Sequence, residues 1–312
     1  MAKLANELTW SASRDNLFKR CRRAYYYQYY GSWGGWESDC SERTRKLYIL
    51  KNLTTLPMWA GSITHEVVAQ ALKNYAQTGN EIRAGALQAR ARMMLRSGWV
   101  DAVQRKWEQR PKKTNLFELY YGNGKSLPPE DTERVKETVY GCLQAFASSA
   151  VLGEIVATPY ANWKPVDTLA SFQLEGLKVW VAVDFAYTDP EGKLRIVDWK
   201  TGKEKTDSLG VQLACYALYA NEEWFAPLEG VRLFGVFLKE NARVSEYPVH
   251  ADTLVGARDY ILGSSAEMRS LLTKVETNSA REDDFPCCES ERTCRRCNFR
   301  EVCPFPQGKS LD

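Results

Sequence analysis

The order of elements along this chain predicts an α/β protein built around a central mixed sheet flanked by helices. Three observations carry that expectation. Apolar residues recur at helical spacing over positions 62–146. From Thr168 the pattern turns to short strand-like runs separated by turn residues. A helical stretch then interrupts the strands before two more follow.

The helical region reads first through Val67, Val68, Ala71, Leu72 and Tyr75, then through Leu87, Met93, Met94 and Leu95. It is expected to begin near Ser62, which puts His65 in the first turn. A polar loop with Gly122, Gly124, Pro128 and Pro129 breaks the pattern, and Val135, Val139, Leu143 and Phe146 resume it. Strands are expected over 169–174, 177–187 and 193–199, with Asp189-Pro190-Glu191-Gly192 as the turn before the third. A helix over 208–220 precedes strands over 231–238 and 243–247. Pro248 ends the last strand because it cannot donate to a ladder. A helix to about position 275 and a cysteine-rich tail complete the chain.

The 312 residues suffice for one large domain or two small ones, and 44% hydrophobic with 26% charged content describes a globular chain with a sizeable core. No apolar run approaches the roughly 18 residues that a membrane span needs. Met1 to Glu7 lacks the apolar stretch of a secretory signal. The expected setting is therefore a reducing cytoplasm, where nine cysteines serve as metal ligands or buried thiols and not as disulfides. A net charge of +3 does not by itself argue for a nucleic-acid partner, so local clustering has to.

Cys294, Cys297 and Cys303 share a C-x2-C-x5-C spacing, and Cys21 stands alone near the other end. Three thiolates so close can serve one metal centre and leave a fourth position open, for which Cys21 is the natural candidate. Such a centre would tie the two ends of the chain together. Ligand bonds would offset the roughly 5 kcal/mol of chain entropy that closing so long a loop costs. Cys287 or Cys288 could replace one ligand. Cys40, Cys142 and Cys215 read as unligated, with Cys142 and Cys215 filling the core from helices.

The third strand ends in Ile196-Val197-Asp198-Trp199-Lys200, and its alternation puts Asp198 and Lys200 on one side. The strand before it carries Asp184 within Val181-Ala182-Val183-Asp184-Phe185, an acid that is costly in an apolar run unless something compensates it. A tight turn between these strands would set the two carboxylates side by side, where mutual repulsion favours Mg²⁺ or Mn²⁺. Asp-x-Lys alone also describes surface ion pairs, and a similar Glu191-Gly192-Lys193 sits in the turn as a solvated decoy. Gln212 and Tyr216 lie four apart on the next helix and share a face from which they could position Lys200 or meet a phosphate. His65 could complete a metal site with the two aspartates. His250, with no companion residues, reads as structural.

Taken in order, His65, Asp184, Asp198-Trp199-Lys200, Gln212 and Tyr216, bracketed by Cys21 and Cys294/Cys297/Cys303, resemble the RecB-like branch of the PD-(D/E)XK nucleases. They are most similar to its iron–sulfur members, among them the CRISPR-associated exonucleases that trim prespacers. No proline precedes Asp184, the second acid is aspartate, and the helical region is longer than compact members need. The resemblance implies one nuclease domain over 1–312 with a restriction-endonuclease-like core at 160–275. It adds a helical insertion at 75–150 and cluster-binding ends at 1–60 and 276–312.

On this resemblance Cys21, Cys294, Cys297 and Cys303 hold a 4Fe-4S cluster, although by ligand chemistry alone zinc would serve. His65, Asp184 and Asp198 bind Mg²⁺ or Mn²⁺. Lys200 orients or deprotonates water or stabilises the transition state, supported by Gln212 and Tyr216. The implied activity is a metal-dependent deoxyribonuclease, an exonuclease on single strands or DNA ends in repair, recombination or CRISPR adaptation. Its partners are DNA and a CRISPR-adaptation or recombination complex, with no membrane. The cluster would gather Arg20, Arg22, Arg23, Arg292, Arg295, Arg296 and Arg300 beside Tyr25, Tyr26 and Tyr27, a path for single-stranded DNA if the tyrosines are not core. The rival readings are a non-catalytic DNA-binding scaffold in a decayed nuclease fold and a zinc-stapled protein with incidental acids.

Overall fold

A computed structural model describes residues 4–122, 124, 126–202 and 206–304, with only the backbone described at 206–209. Strand β1 (Thr9–Trp10) leads into α1 (Ala12–Arg20), α2 (Arg22–Tyr26) and α3 (Glu42–Lys51), then β2 (Leu53–Thr54). The helical region comprises α4 (Leu56–Thr78) and α5 (Ala84–Val103). It continues past β3 (Asn115–Leu116) into α6 (Phe117–Tyr120), α7 (Pro129–Ala147) and α8 (Ala150–Ala157). Next come β4 (Thr168–Leu174), β5 (Leu177–Val183), β6 (Phe185–Thr188), β7 (Leu194–Lys200) and α9 (Thr206–Trp224). Strands β8 (Val231–Phe237) and β9 (Arg243–Tyr247), α10 (Ala251–Ser270) and α11 (Glu291–Arg295) complete the order. Among the described residues no single helix is long and apolar enough to cross a membrane.

Helix α4 starts at Leu56, earlier than the sequence pattern suggested. The Thr55 side chain accepts the Met58 N–H and Pro57 fits the first turn, so capping chemistry sets the boundary. His65 therefore lies in mid-helix, not in its first turn. The helix stops at Gly79, whose φ of 68° is one that glycine adopts without strain. α7 opens on Pro129 with Glu130 and Asp131 in its first turn, where they meet the positive end of the helix dipole.

The expected central sheet is divided in two. One sheet has the order β1-β5-β4, and the other has the mixed order β6-β7-β8-β9. The strand expected over 177–187 breaks at Asp184. There the backbone carbonyl accepts the Asp167 N–H at 3.1 Å and the carboxylate accepts the Trp199 N–H at 2.8 Å. Those two bonds turn the chain out of one ladder and into the next. β6 and β7 form the hairpin, with Asp189 Oδ1 accepting the Glu191 and Lys193 N–H groups in the turn. The decoy Glu191-Gly192-Lys193 is thus turn structure.

Two apolar layers meet the strands. Helices α4, α5 and α7 pack on one side, where Phe146 of α7 meets Trp199 edge-on at 5.2 Å. α9 packs across β4, β5 and β8 on the other. The segment expected as an insertion therefore shares a core with β6 and β7. Cys142 and Cys215 are buried in these layers.

The chain ends also meet. Arg23 donates to the Phe285 carbonyl at 2.7 Å and to Glu282 at 2.9 Å, and Tyr27 and Arg43 donate to Glu282 at 2.7 Å. Tyr25 and Tyr27 are fully buried, Tyr25 stacking on Phe285 and Tyr27 lying against Phe299. They are core residues and cannot offer faces to DNA bases. Arg23 is buried too and serves the same junction.

Candidate active site and thiol cavity

The break at Asp184 and the end of β7 lie at the floor of an open cleft of about 520 Å³, lined also by His65, Gln212 and Tyr216. Alternation on β7 does put Asp198 and Lys200 on one side, and Lys200 Nζ lies 2.6 Å from Asp198 Oδ2. Gln212 joins them, its carbonyl accepting from Lys200 Nζ at 3.1 Å and its amide donating to Asp198 Oδ1 at 3.2 Å. Tyr216, one turn on, accepts from the same amide at 2.6 Å and donates to the Ala182 carbonyl of β5 at 2.6 Å. It steadies Gln212 and does not touch Lys200.

Asp184 Oδ2 is held by the Trp199 N–H, and Oδ1 lies 3.1 Å from His65 Nδ1. Residue 61, one turn before His65, is a glycine that faces Thr201 just after β7. A Cβ there would lie 3.1 Å from the Thr201 hydroxyl. Burial works against a charged His65, but the Asp184 carboxylate outweighs it and raises the imidazole pKa.

Asp198 is the most deeply buried carboxylate of the cleft. It is 2% exposed. Burial first, and Asp184 second, push its carboxyl up to about 6 against the pull of Lys200. Its Oδ2 atom, although close to Lys200 Nζ, receives no hydrogen bond with acceptable direction. A buried carboxylate oxygen left this way is costly, and a cation that met it would relieve the cost.

Ser11, Ser13 and Asn16 from the start of α1, and Leu169 and Trp180 from β4 and β5, also line the cleft. Asp167 adds a nearby carboxyl, raised by burial and then by Asp184. None of these six was singled out in the sequence. Trp180 sits in an apolar run and Ser11 reaches the cleft only through the pairing of β1 with β5, so no local pattern marks them. His250 precedes α10 and its backbone N–H donates to Thr253 Oγ1 at 3.3 Å, away from the cleft.

The C-x2-C-x5-C cysteines and Cys21 line one cavity of about 200 Å³, and Cys287 and Cys288 join them. Cys287 and Cys303 sulfurs are 3.6 Å apart, and those of Cys288 and Cys294 are 3.9 Å apart. Arg20, Arg292, Arg296 and Arg300 surround the thiols. Burial pushes the Cys294 thiol up to about 12 and Cys297 up to about 11, so both stay protonated unless a cation compensates. Cys40 stands apart from this cavity.

Among the described residues, no three His, Cys, Asp or Glu side chains are grouped as a single metal ion requires. In the cleft the reason is visible, since His65 and Asp184 bond each other. What fits a cation there is the donor set and the buried Asp198 oxygen, which has Lys200 beside it and no aligned hydrogen bond. In the cavity it is six soft sulfur donors.

A family model described as the PD-(D/E)XK nuclease superfamily matches residues 9–304. The chain belongs to that superfamily. Its acids and lysine thus sit in a nuclease fold, and hydrolysis of nucleic-acid phosphodiesters is its general chemistry. A search of curated protein sequences gave no match. Among solved structures, one described as "Crystal structure of SSO0001" is 15% identical, covering 78% of this chain and 96% of that one. Its TM-score of 0.29 is too low to carry an argument.

Proposed function

We propose that this protein is a Mg²⁺- or Mn²⁺-dependent deoxyribonuclease acting as an exonuclease on single strands or DNA ends. The observation that supports it is the network in which one amide, Gln212, holds both Lys200 and the buried Asp198 beside Asp184 and His65. His65, Asp184 and Asp198 would hold the divalent ion. When bound, that ion offsets charge on the phosphodiester and makes water easier to deprotonate. Lys200 is oriented by Asp198 and Gln212 toward the open cleft, where its ammonium meets negative charge developing on the phosphorus oxygens. Tyr216 fixes Gln212, and burial keeps its hydroxyl protonated as a donor to β5.

Digestion of 5′- and 3′-labelled single- and double-stranded DNA, with Mn²⁺ and with EDTA, tests activity and direction together. Lys200→Ala is expected to lower cleavage by at least roughly 10²-fold with the melting temperature little changed. Cleavage by that variant at the parental rate removes Lys200 from the mechanism.

The thiol cavity supports a 4Fe-4S cluster held by Cys21, Cys294, Cys297 and Cys303, in the manner of the RecB-like iron–sulfur nucleases. The surrounding guanidinium groups suit an anionic centre. On this reading the protein works in a reducing cytoplasm, in repair, recombination or CRISPR adaptation and with the complexes of those pathways. Iron and sulfide assayed on anaerobically purified protein should be present in the parent and lost in Cys21→Ser. Zinc in their place overturns the assignment.

A further inference from the structure

One wall of the catalytic cleft has no part in the chemistry described so far. β4 and β5 pair with Ser171 opposite Trp180 and Leu169 opposite Ala182. These four residues therefore share the sheet face turned away from Phe172, Val179 and Val181, which are buried in the core. Trp180 and Leu169 both line the cleft, and Leu169 is 67% exposed. Among the described residues no other aromatic ring packs against Trp180. Its one ring contact is Lys178, two residues back on the same face, whose ammonium lies 4.4 Å from the ring centroid.

Beside it the lining is polar, from Ser11, Ser13 and Asn16, Ser11 following β1, whose Trp10 pairs with Val179. The cleft measures about 520 Å³, within the roughly 300–1,000 Å³ that encloses a ligand of drug size. That is room for one or two nucleotides. Bases present flat apolar faces and phosphates present charge, so a strand needs both kinds of lining. Of the aromatic residues suggested by the sequence, Tyr25 and Tyr27 are buried, and Tyr26, half-buried, packs on Tyr30 and Phe285.

We infer that Trp180, on one sheet face with Leu169 and with Lys178 over one side of its ring, is a stacking platform that seats one unpaired base beside Asp184 and Asp198, so that the substrate enters as a single strand. This rests on the nuclease reading and adds the strand state of the substrate to it. Stacking on Trp180 selects a base without selecting which base. Lys178 stands where the adjoining phosphate would pass.

The test compares binding of fluorescent oligothymidylate and an abasic oligomer of equal length by the full chain in EDTA at one salt concentration. The two probes carry the same charge and differ only in their bases. The unsubstituted chain should prefer oligothymidylate by roughly 5- to 150-fold, the range for one stacked base. Trp180→Ala should abolish the preference and Trp180→Phe should keep most of it. Equal affinities in the unsubstituted chain, a preference that survives Trp180→Ala, or one lost alike in both variants overturns the platform. Digestion with Mn²⁺ separates this from the catalytic reading. A parent that cleaves DNA but shows no base preference loses the platform alone. A parent that shows the preference but never cleaves loses the catalysis alone.

Discussion

Replacing Asp198 by asparagine should make the metal-free protein more stable while removing its activity. Asp198 is almost wholly buried, one of its oxygens lacks an aligned donor, and its carboxyl is pushed up to about 6 from an ordinary 3.8. The folded state thus holds the proton more tightly than the unfolded chain does. Stability from this group is present in full below about pH 4 and is lost as pH rises through 6, by about 3 kcal/mol in all. The Lys200 ion pair is already included in that net shift. Asparagine bears no charge at any pH and can still accept from Gln212. In EDTA at pH 7.5 the variant should gain about 2–3 kcal/mol. With an unfolding entropy of about 2.1 cal/mol/K per residue over 312 residues, that raises the melting temperature by about 3–5 °C. At pH 4 the two proteins should melt together, and Mn²⁺ should raise the parent's melting temperature but not the variant's. Thermal unfolding followed by circular dichroism at both pH values decides it. A variant that melts below its parent in EDTA at pH 7.5, or a gap that stays constant down to pH 4, refutes the claim that Asp198 is held at an electrostatic cost.

Two further perturbations probe the supports of the cleft. Gly61→Val would place side-chain carbons against Thr201, already 3.1 Å from a single added Cβ, and push α4 away from β7. Displacing His65 from Asp184 by about 1 Å should lower the cleavage rate by roughly 10²-fold, with far-UV dichroism unchanged. An active Gly61→Val enzyme would show that this close approach is dispensable. Glu282→Ala removes the partner of the buried Arg23 and of Tyr27. It should cost about 2–3 kcal/mol, or about 3–5 °C in the melting temperature, and a loss below 1 °C would mean that the ends are held by their apolar contacts alone.

The strand that carries Asp198 and Lys200 was legible because its signal is local. Asp198 and Lys200 obey the two-residue period of a strand, and Gln212 and Tyr216 obey the four-residue spacing of a helix. The break at Asp184 was not legible, since it depends on N–H groups from Asp167 and Trp199, the first from a neighbouring loop and the second across the hairpin. The division of the sheet follows from that break. Tyrosine is at home both in a core and on a binding surface, so Tyr25 and Tyr27 could not be assigned from composition. Only the position of Phe285 and Glu282 against them decides it. Cys287 and Cys288 lack the C-x2-C-x5-C spacing, yet the tail folds them into the same cavity.

The thiol cavity and the cleft are joined by α1. Cys21 caps its C-terminal end, its N–H donating to the Leu17 carbonyl at 2.9 Å, while Ser11 caps its N-terminal end and lines the cleft. Nine helical residues at about 1.5 Å each span about 14 Å between the two. The helix is fixed along its length as well. Asp15 accepts from Tyr260 and Ser264 of α10, and β1 before it pairs with β5. Whatever holds Cys21 is thus one short helix away from the Ser11 lining of the cleft, beside Trp180. A centre bound in the cavity needs no part in the chemistry to affect it. By anchoring the far end of α1 it would add to the contacts with α10 and β5 that already position the Ser11 end at the cleft.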